Sequence, residues 1–155
     1  MRTMLFSCCL LAALLAGCGG DAGAQTQAKK GADDNPACHL FTPAELAKFV
    51  GEPLSAGHVA AMGTGCQWEG RSENSSAMIQ VVPSRYHEPH KAAKGFRNLP
   101  DVGTQGFVEA SMGGWNAGAI TGAQAVVVSV QGPAASDANA IALLKETIKR
   151  RDTRD

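Results

Sequence analysis

The sequence Tyr-His-Glu-Pro-His at residues 86–90 combines three side chains that can bind a metal ion. His87 and His90 could share a metal with Glu88, since imidazole nitrogens and carboxylate oxygens are common zinc ligands. The segment lacks the His-Glu-x-x-His spacing of zinc proteases, and Pro89 interrupts it. The alternative interpretation is a solvated loop at the start of a helix. The alternative function is therefore that of a periplasmic metal-binding protein that uses His87 and His90.

Patterns that would support catalysis are weaker. The sequence contains no Gly-x-Ser-x-Gly motif. Glu69 and Glu109 could in principle act as paired carboxylates in glycan hydrolysis. Both lie in alternating segments, where we expect them to face solvent from strands. We therefore expect a protein that is not an enzyme and that needs no cofactor.

Residues 1–17 have the features of a bacterial export signal. Arg2 precedes an apolar run over residues 5–16 that is too short to span a membrane. The run ends in Leu-Ala-Gly-Cys, which resembles the lipobox of bacterial lipoproteins, and the resemblance implies that Cys18 is lipidated. Acyl chains on Cys18 would anchor the protein to a membrane without crossing it. The alternative is an ordinary secretory signal with an incidental cysteine.

Residues 18–36 form a predicted tether. The segment is rich in Gly, Ala, Gln and charged residues and has no large apolar side chain, so it cannot bury enough surface to fold. A flexible chain of this length spans roughly 20–25 Å. Gly19, rather than an aspartate, follows Cys18, which resembles the sorting pattern for an outer membrane facing the periplasm. We expect a cell-envelope location.

Residues 37–155 have the length of one small domain. The whole sequence contains 14 Lys and Arg and 14 Asp and Glu residues, and this balance predicts no nucleic-acid partner. Cys38 and Cys66 lie behind the export signal, and such a pair is typical of a disulfide. A metal-binding or redox pair is the alternative, although the Cys-x-x-Cys spacing of redox sites is absent.

Two helices and several strands should position these residues. Thr42 and Glu45 form a predicted capping box before a helix that ends at Gly51. Ser136 or Asp137 should cap a final helix over residues 136–151. A third, shorter helix is predicted over residues 88–95. The apolar stripe expected on the final helix comprises Ile141, Leu144 and Ile148.

Strand-like segments separate the helices, and short turns join them. Val126, Val128 and Val130 alternate on one predicted face. Turns of hairpin length at residues 63–65 and 121–123 indicate antiparallel pairing. We predict an α+β domain in which helices pack on one face of an antiparallel sheet, with one disulfide. The predicted strands cover residues 57–62, 65–70, 77–83, 105–110, 114–120 and 123–132.

The sequence over about residues 36–150 is similar to a family of short bacterial lipoproteins that carry a domain of unknown function, most specifically in its first half. The shared pattern comprises Cys38, Leu40, Thr42, Glu45, Gly51, Cys66 and Trp68. The resemblance implies a paired Cys38–Cys66 and an α/β sandwich like those of the PsbP-like and Mog1-like domains. It implies no catalytic residues.

Trp115 lies in the glycine-rich segment 111–118 and is a candidate partner contact, because exposed tryptophans often anchor interfaces. The alternative is that Trp115 packs in the core, as we expect for Trp68 beside Cys66. The leading function is that of a membrane-anchored envelope lipoprotein that binds a protein partner or a small ligand.

Overall fold

The computed structural model describes residues 35–153. The predicted signal peptide, the predicted lipidation site Cys18 and most of the predicted tether lie outside the described residues. Neither α-helix of the described part is long and apolar enough to cross a membrane. The helices are α1, Pro43–Val50, and α2, Asp137–Asp152. The strands are β1, His58–Ala60; β2, Gly65–Glu69; β3, Ser76–Pro83; β4, Arg97–Asn98; β5, Thr104–Ser111; β6, Gly114–Thr121; and β7, Gln124–Gln131.

The seven strands form one sheet in the order β1-β2-β3-β7-β6-β5-β4. Every neighbouring pair is antiparallel. The chain leaves β3, crosses to the far edge at β4, and returns through β5 and β6 to place β7 beside β3. Both helices pack on the sheet. The predicted α+β class, with an antiparallel sheet and one disulfide, is confirmed.

The core lies between the helices and one face of the sheet. The predicted alternation in β7 is confirmed, since Val126, Val128 and Val130 are fully buried while Val127 and Ser129 are only half-buried. A strand with this pattern presents every second side chain to the core. The helices contribute Leu46, Phe49, Val50, Ala140, Leu143 and Leu144 to the same cluster.

The sequence signals that bound α1 are confirmed. Thr42 Oγ1 accepts a hydrogen bond from the Glu45 N–H at 3.3 Å, and Glu45 Oε2 accepts one from the Thr42 N–H at 2.8 Å. These two bonds satisfy N–H groups that have no partner within a helix. Gly51 ends the helix with a φ of 96°, in the left-handed region that favours glycine.

Helix α2 begins as predicted but faces the sheet differently. Ser136 Oγ accepts from the Asn139 N–H at 3.2 Å and caps the helix. The predicted stripe is wrong in part, because Ile141 and Ile148 are only half-buried. Thr147 is polar but can lie in the core because its hydroxyl donates to the Leu143 carbonyl at 2.7 Å. The fully buried residues are Ala140, Leu143, Leu144 and Thr147.

The predicted helix over residues 88–95 is wrong, because the chain makes turns there. The Ala93 N–H donates to the His90 carbonyl at 2.7 Å, which closes a single turn. The Lys94 carbonyl accepts from the Ala110 N–H at 2.9 Å. The Lys94 carbonyl therefore bonds to β5 instead of to a helical N–H, and this tertiary contact overrides the local helical pattern.

The Cys38–Cys66 disulfide predicted from the sequence is confirmed. It joins a 3-10 turn, Pro36–His39, to β2. Trp68, two residues along the same strand, is 1 % exposed, which confirms its expected place in the core. A Cβ atom on Gly57 would lie 2.6 Å from the Trp68 ring and 2.9 Å from Cys66 Sγ, so the chain crosses both groups at this glycine.

Arg150 connects the beginning of the domain to its end. Its Nη1 donates to the Leu40 carbonyl at 2.7 Å, its Nη2 to Glu45 Oε1 at 2.8 Å and its Nε to Glu146 Oε1 at 2.9 Å. The guanidinium also lies 4.1 Å from the centre of the Phe41 ring. One side chain therefore holds α1 and the residues before it against α2. The sequence indicates only that a cation suits the end of α2.

Replacing both Cys38 and Cys66 with alanine should destabilise the domain. The bond closes a loop with a sequence separation of 28 residues, and the chain-entropy model gives such a loop about 3–4 kcal/mol. Urea unfolding monitored by tryptophan fluorescence measures the difference. The reduced wild type should match the double variant, and equal stability of the oxidised wild type and the variant would contradict this account.

The Arg150 contacts should make stability depend on pH. Hydrogen bonds from Arg150 and Thr42 lower the pKa of Glu45 from 4.5 to about 2. The contribution of Glu45 is therefore complete above the unfolded pKa of 4.5 and is lost as the pH falls towards 2. Arg150→Met should cost about 1–3 kcal/mol at neutral pH. It should also flatten the decline of the unfolding free energy between about pH 5 and pH 2, because Glu45 then titrates nearer to its unfolded pKa of 4.5.

The matched control for Arg150→Met is Lys145→Met, which removes an exposed cation from the same helix. Urea titrations at several pH values should show wild-type stability and slope for Lys145→Met. An unchanged acid slope in Arg150→Met would show that the Glu45 contact does not contribute in solution.

Candidate functional site

His87 lies on the sheet face that the helices leave open. The segment after β3 crosses this face, and His87 is buried with its Nε2 3.0 Å from the Gln105 carbonyl oxygen. Its ring centre is 5.4 Å from that of Phe107. His87 Nδ1 is buried and has no hydrogen-bond partner in the described structure. The side chain therefore helps to fix the segment on the sheet.

His90 holds the same segment through a buried carboxylate. The His90 backbone N–H donates to Glu109 Oε2 at 3.0 Å, and His90 Nδ1 lies 3.2 Å from Glu109 Oε1. The His90 side chain is 80 % exposed, whereas that of Glu109 is 4 % exposed. The expectation that Glu109 faces solvent is wrong, because the segment 84–96 covers β5 at this point.

The two histidines therefore bond to separate protein groups. His87 Nε2 meets a backbone carbonyl, and His90 Nδ1 meets the Glu109 carboxylate. Within residues 35–153, no group of three or more His, Cys, Asp or Glu side chains is placed to hold a metal ion. Among the described residues, the side chains that the metal-binding alternative needs are therefore not gathered around one point.

Glu69 and Glu109 lie far apart in the sheet. Glu69 is on β2 and Glu109 on β5, with three strands between them. Four inter-strand spacings of about 4.8 Å separate the two residues by about 19 Å. Glycosidases need carboxyl groups roughly 5–9.5 Å apart. The sheet therefore prevents these two carboxylates from acting as a pair.

Trp115 is half-buried rather than fully exposed or fully buried. One side of the ring packs on the core, and Gly95 lies directly against its edge, where a Cβ atom would be 2.8 Å away. The ring also borders an open depression with Lys94 and Met112. Met112 is 89 % exposed at the β5–β6 turn. This depression is one candidate contact surface.

A cavity of about 440 Å³ lies at the end of the domain where the described chain begins. We call it the Arg151 cavity. The 3-10 turn Pro36–His39, the β1–β2 turn, the last turn of α2 and the adjoining ends of β3 and β7 form its walls. Its lining includes Ala37, Leu40, Thr64, Val81, Gln124 and Arg151.

The wall nearest the amino terminus is fixed in place by Asn35. Its Oδ1 accepts from the Ala37 N–H at 2.8 Å, and its Nδ2 donates to the Gly63 carbonyl at 2.7 Å. The disulfide of Cys38 holds the same turn to β2. The wall is therefore tied to the sheet at two points, so the cavity is preformed.

Arg151 forms the opposite wall. Its Nη1 donates to Thr121 Oγ1 at 3.4 Å, and its Nη2 donates to Gln124 Oε1. Both partners are neutral. Arg151 makes no ion pair with any carboxylate in the described part of the chain. Its positive charge thus faces the cavity without a described counter-charge.

Sequence reasoning missed the Arg151 cavity. Asn35 and Pro36 fall within the predicted tether, although they line the cavity. The pair does carry a local signal, because Asn-Pro often initiates turns. Arg151 carries only the signal of a cation at a helix end. Its contact with Thr121 and Gln124 depends on the packing of α2 across the β6–β7 turn.

A search against models of protein families finds no match to this chain, and a search of characterised proteins finds no significant relative.

Replacing Glu109 and His90 should have unequal effects. Glu109→Ala leaves the partly buried His90 N–H without its acceptor, which should cost about 1–3 kcal/mol. His90→Ala keeps that backbone bond and removes only an exposed imidazole, so it should cost less than about 1 kcal/mol. Urea unfolding of both variants tests this, with Glu69→Ala as the exposed-carboxylate control. Equal losses would mean that the imidazole, not the backbone bond, holds the segment.

Proposed function

We propose that this protein is a lipid-anchored envelope protein whose domain binds a small ligand in the Arg151 cavity without catalysing a reaction. The observation that carries the proposal is the cavity itself. Its volume of about 440 Å³ lies within the range of roughly 300–1,000 Å³ that is usual for small-molecule sites. Ala37, Leu40 and Val81 form an apolar floor, and polar side chains complete the lining, so the cavity has both kinds of group that small-molecule sites use.

Preformation supports binding at this place. The disulfide and the two Asn35 hydrogen bonds fix one wall, and β7 and α2 fix the other. A site that exists before the ligand arrives avoids the entropy cost of ordering its walls.

The proposed location rests on the amino-terminal sequence. The resemblance of residues 15–18 to a lipobox implies lipidation of Cys18, and Gly19 favours an outer membrane facing the periplasm. The predicted tether then joins the membrane directly to Asn35, at the rim of the Arg151 cavity.

The non-enzymatic part of the proposal rests on the positions of the candidate catalytic groups. Glu69 and Glu109 are too far apart to act together, and Glu109 is buried beneath the segment 84–96. His87 and His90 bond to groups that fix this same segment. Their contacts account for them as structural residues.

A protein partner at Trp115 is the second candidate function. The observation that favours it is the exposed Met112, which has a φ of 33°, beside the half-buried Trp115 ring. Contiguous apolar surface favours protein contacts, and Met112 and Trp115 border the same depression. A partner of this kind would be another envelope protein.

Ligand binding should raise the melting temperature of the full-length protein in nanodiscs. A ligand at one hundred times its Kd adds about 2.7 kcal/mol to stability, which corresponds to several degrees. A thermal-shift panel of small carboxylates, phosphates, sugars, amines and alcohols measures this. We expect at least one class to stabilise the wild type, and Val81→Phe, which fills the cavity, to abolish the shift.

Val127→Phe is the matched control, because Val127 is similarly half-buried but lies on the opposite face of the sheet. It should retain the ligand-induced shift. If no class stabilises the wild type, or if Val81→Phe responds as the wild type does, the cavity is not the binding site.

A further inference from the structure

We propose that the Arg151 cavity binds a small organic anion that carries one carboxylate and a short apolar chain. This inference rests on the proposed ligand-binding function and specifies the ligand class for the same cavity. Three observations support it: some hydrogen-bonding groups of the cavity are already used, Arg151 has no carboxylate partner among residues 35–153, and the floor of the cavity is apolar.

Two polar side chains of the cavity have little capacity left for a ligand. Asn35 uses both its oxygen and its nitrogen in hydrogen bonds to the backbone. Thr64 Oγ1 donates to the Ala61 carbonyl at 2.7 Å and accepts from Gln80 Nε2 at 2.9 Å. These groups shape the cavity, and the hydrogen bonds to a ligand must come mainly from Arg151 and Gln124 on the opposite wall.

The remaining capacity consists of N–H donors. A guanidinium has five N–H groups, and Arg151 uses one on Nη1 and one on Nη2. Gln124 uses its oxygen to accept from Arg151, and its amide nitrogen has no hydrogen-bond partner among residues 35–153. A ligand that satisfies these donors must supply acceptors, so the cavity is suited to an oxyanion.

The charge of Arg151 strengthens this preference. Arg150 pairs with Glu45, and Arg97 pairs with Asp137, but Arg151 has no such partner in the described chain. A planar guanidinium binds a carboxylate through two parallel hydrogen bonds, which are stronger than bonds between neutral groups. Its two neutral partners hold the guanidinium at the cavity wall.

The floor of the cavity favours an apolar portion in the same ligand. The floor consists of the uncharged side chains of Ala37 and Leu40, which are almost completely buried, and of Val81, which is half-buried. The volume is near the lower end of the usual range, which suits a chain of a few carbons. An inorganic anion would leave this apolar surface unused.

Three probes of equal chain length test the inference: hexanoate, hexanol and hexylammonium. Calorimetry uses the full-length protein in nanodiscs, with empty nanodiscs subtracted. Hexanoate should bind at least tenfold more tightly than hexanol, and hexylammonium should not bind. Inorganic phosphate should bind at least tenfold more weakly than hexanoate, because it cannot contact the floor.

Two substitutions remove the proposed recognition in different ways. Arg151→Met should weaken hexanoate binding at least tenfold. Gln124→Glu places a carboxylate against Arg151 and should weaken hexanoate binding to the same extent while retaining the cation. Lys149→Met removes a neighbouring cation that does not line the cavity, and it should leave the affinity within twofold of the wild type. Circular dichroism checks that each variant is folded.

The outcomes distinguish this inference from the proposed function. Equal binding of hexanoate and hexanol, both lost in Val81→Phe, would retain the small-ligand function and overturn the anion. Phosphate binding as tight as hexanoate would overturn the apolar portion. If hexanoate binds only after Asp33→Asn and Asp34→Asn are introduced, the chain's own acidic pair occupies Arg151, and the inference is wrong. Absence of any ligand in the thermal-shift panel would remove the proposed function itself.

Discussion

The pairing of β7 between β3 and β6 is the constraint on which the rest of the domain depends. Residues 124–131 pair with β3 on one side and with β6 on the other. They are therefore the link between the strands β1, β2 and β3 and the strands β4, β5 and β6. Val126, Val128 and Val130 are also the apolar surface against which α2 packs. Because β7 is the last strand in the chain, the two halves of the sheet are joined only when residues 124–131 pair with both β3 and β6.

This topology also creates the Arg151 cavity. The chain begins beside β2, at a turn that the disulfide holds to the sheet, and it ends with α2 crossing the start of β7. Arg150 joins these two parts close to α1, but Arg151 turns towards Thr121 and Gln124 instead. The adjacent arginines therefore have different roles. Arg150 closes the space between the helices, and Arg151 lines the space that stays open at the end of the sheet.

Local signals were sufficient to predict much of the fold. The capping box of Thr42 and Glu45, the alternating valines of β7 and the short turns between strands each depend on neighbours in sequence, and each is confirmed. Residues whose environment depends on distant elements were not predictable in this way. Glu109 alternates like a solvent-facing strand residue, yet a segment about twenty residues earlier covers it. The same contact keeps residues 88–95 from forming the helix that their composition favours.

The attachment of the domain and the proposed ligand site share one end of the molecule, and this has a physical consequence. Asn35 lines the cavity and lies at the carboxyl end of the predicted tether, a segment that spans roughly 20–25 Å when flexible. With Cys18 lipidated as proposed, the rim of the cavity lies on average about 20–25 Å from the anchor, and a fully extended tether limits that distance to about 60 Å. Small amphipathic anions concentrate at a membrane surface, because their apolar chains enter the lipid while their charged groups remain in water. The cavity offers a similar pair of environments, because its wall is rich in N–H donors and its floor is apolar. An anion that moved from the lipid surface into the cavity would therefore keep polar partners for its carboxylate and apolar contacts for its chain.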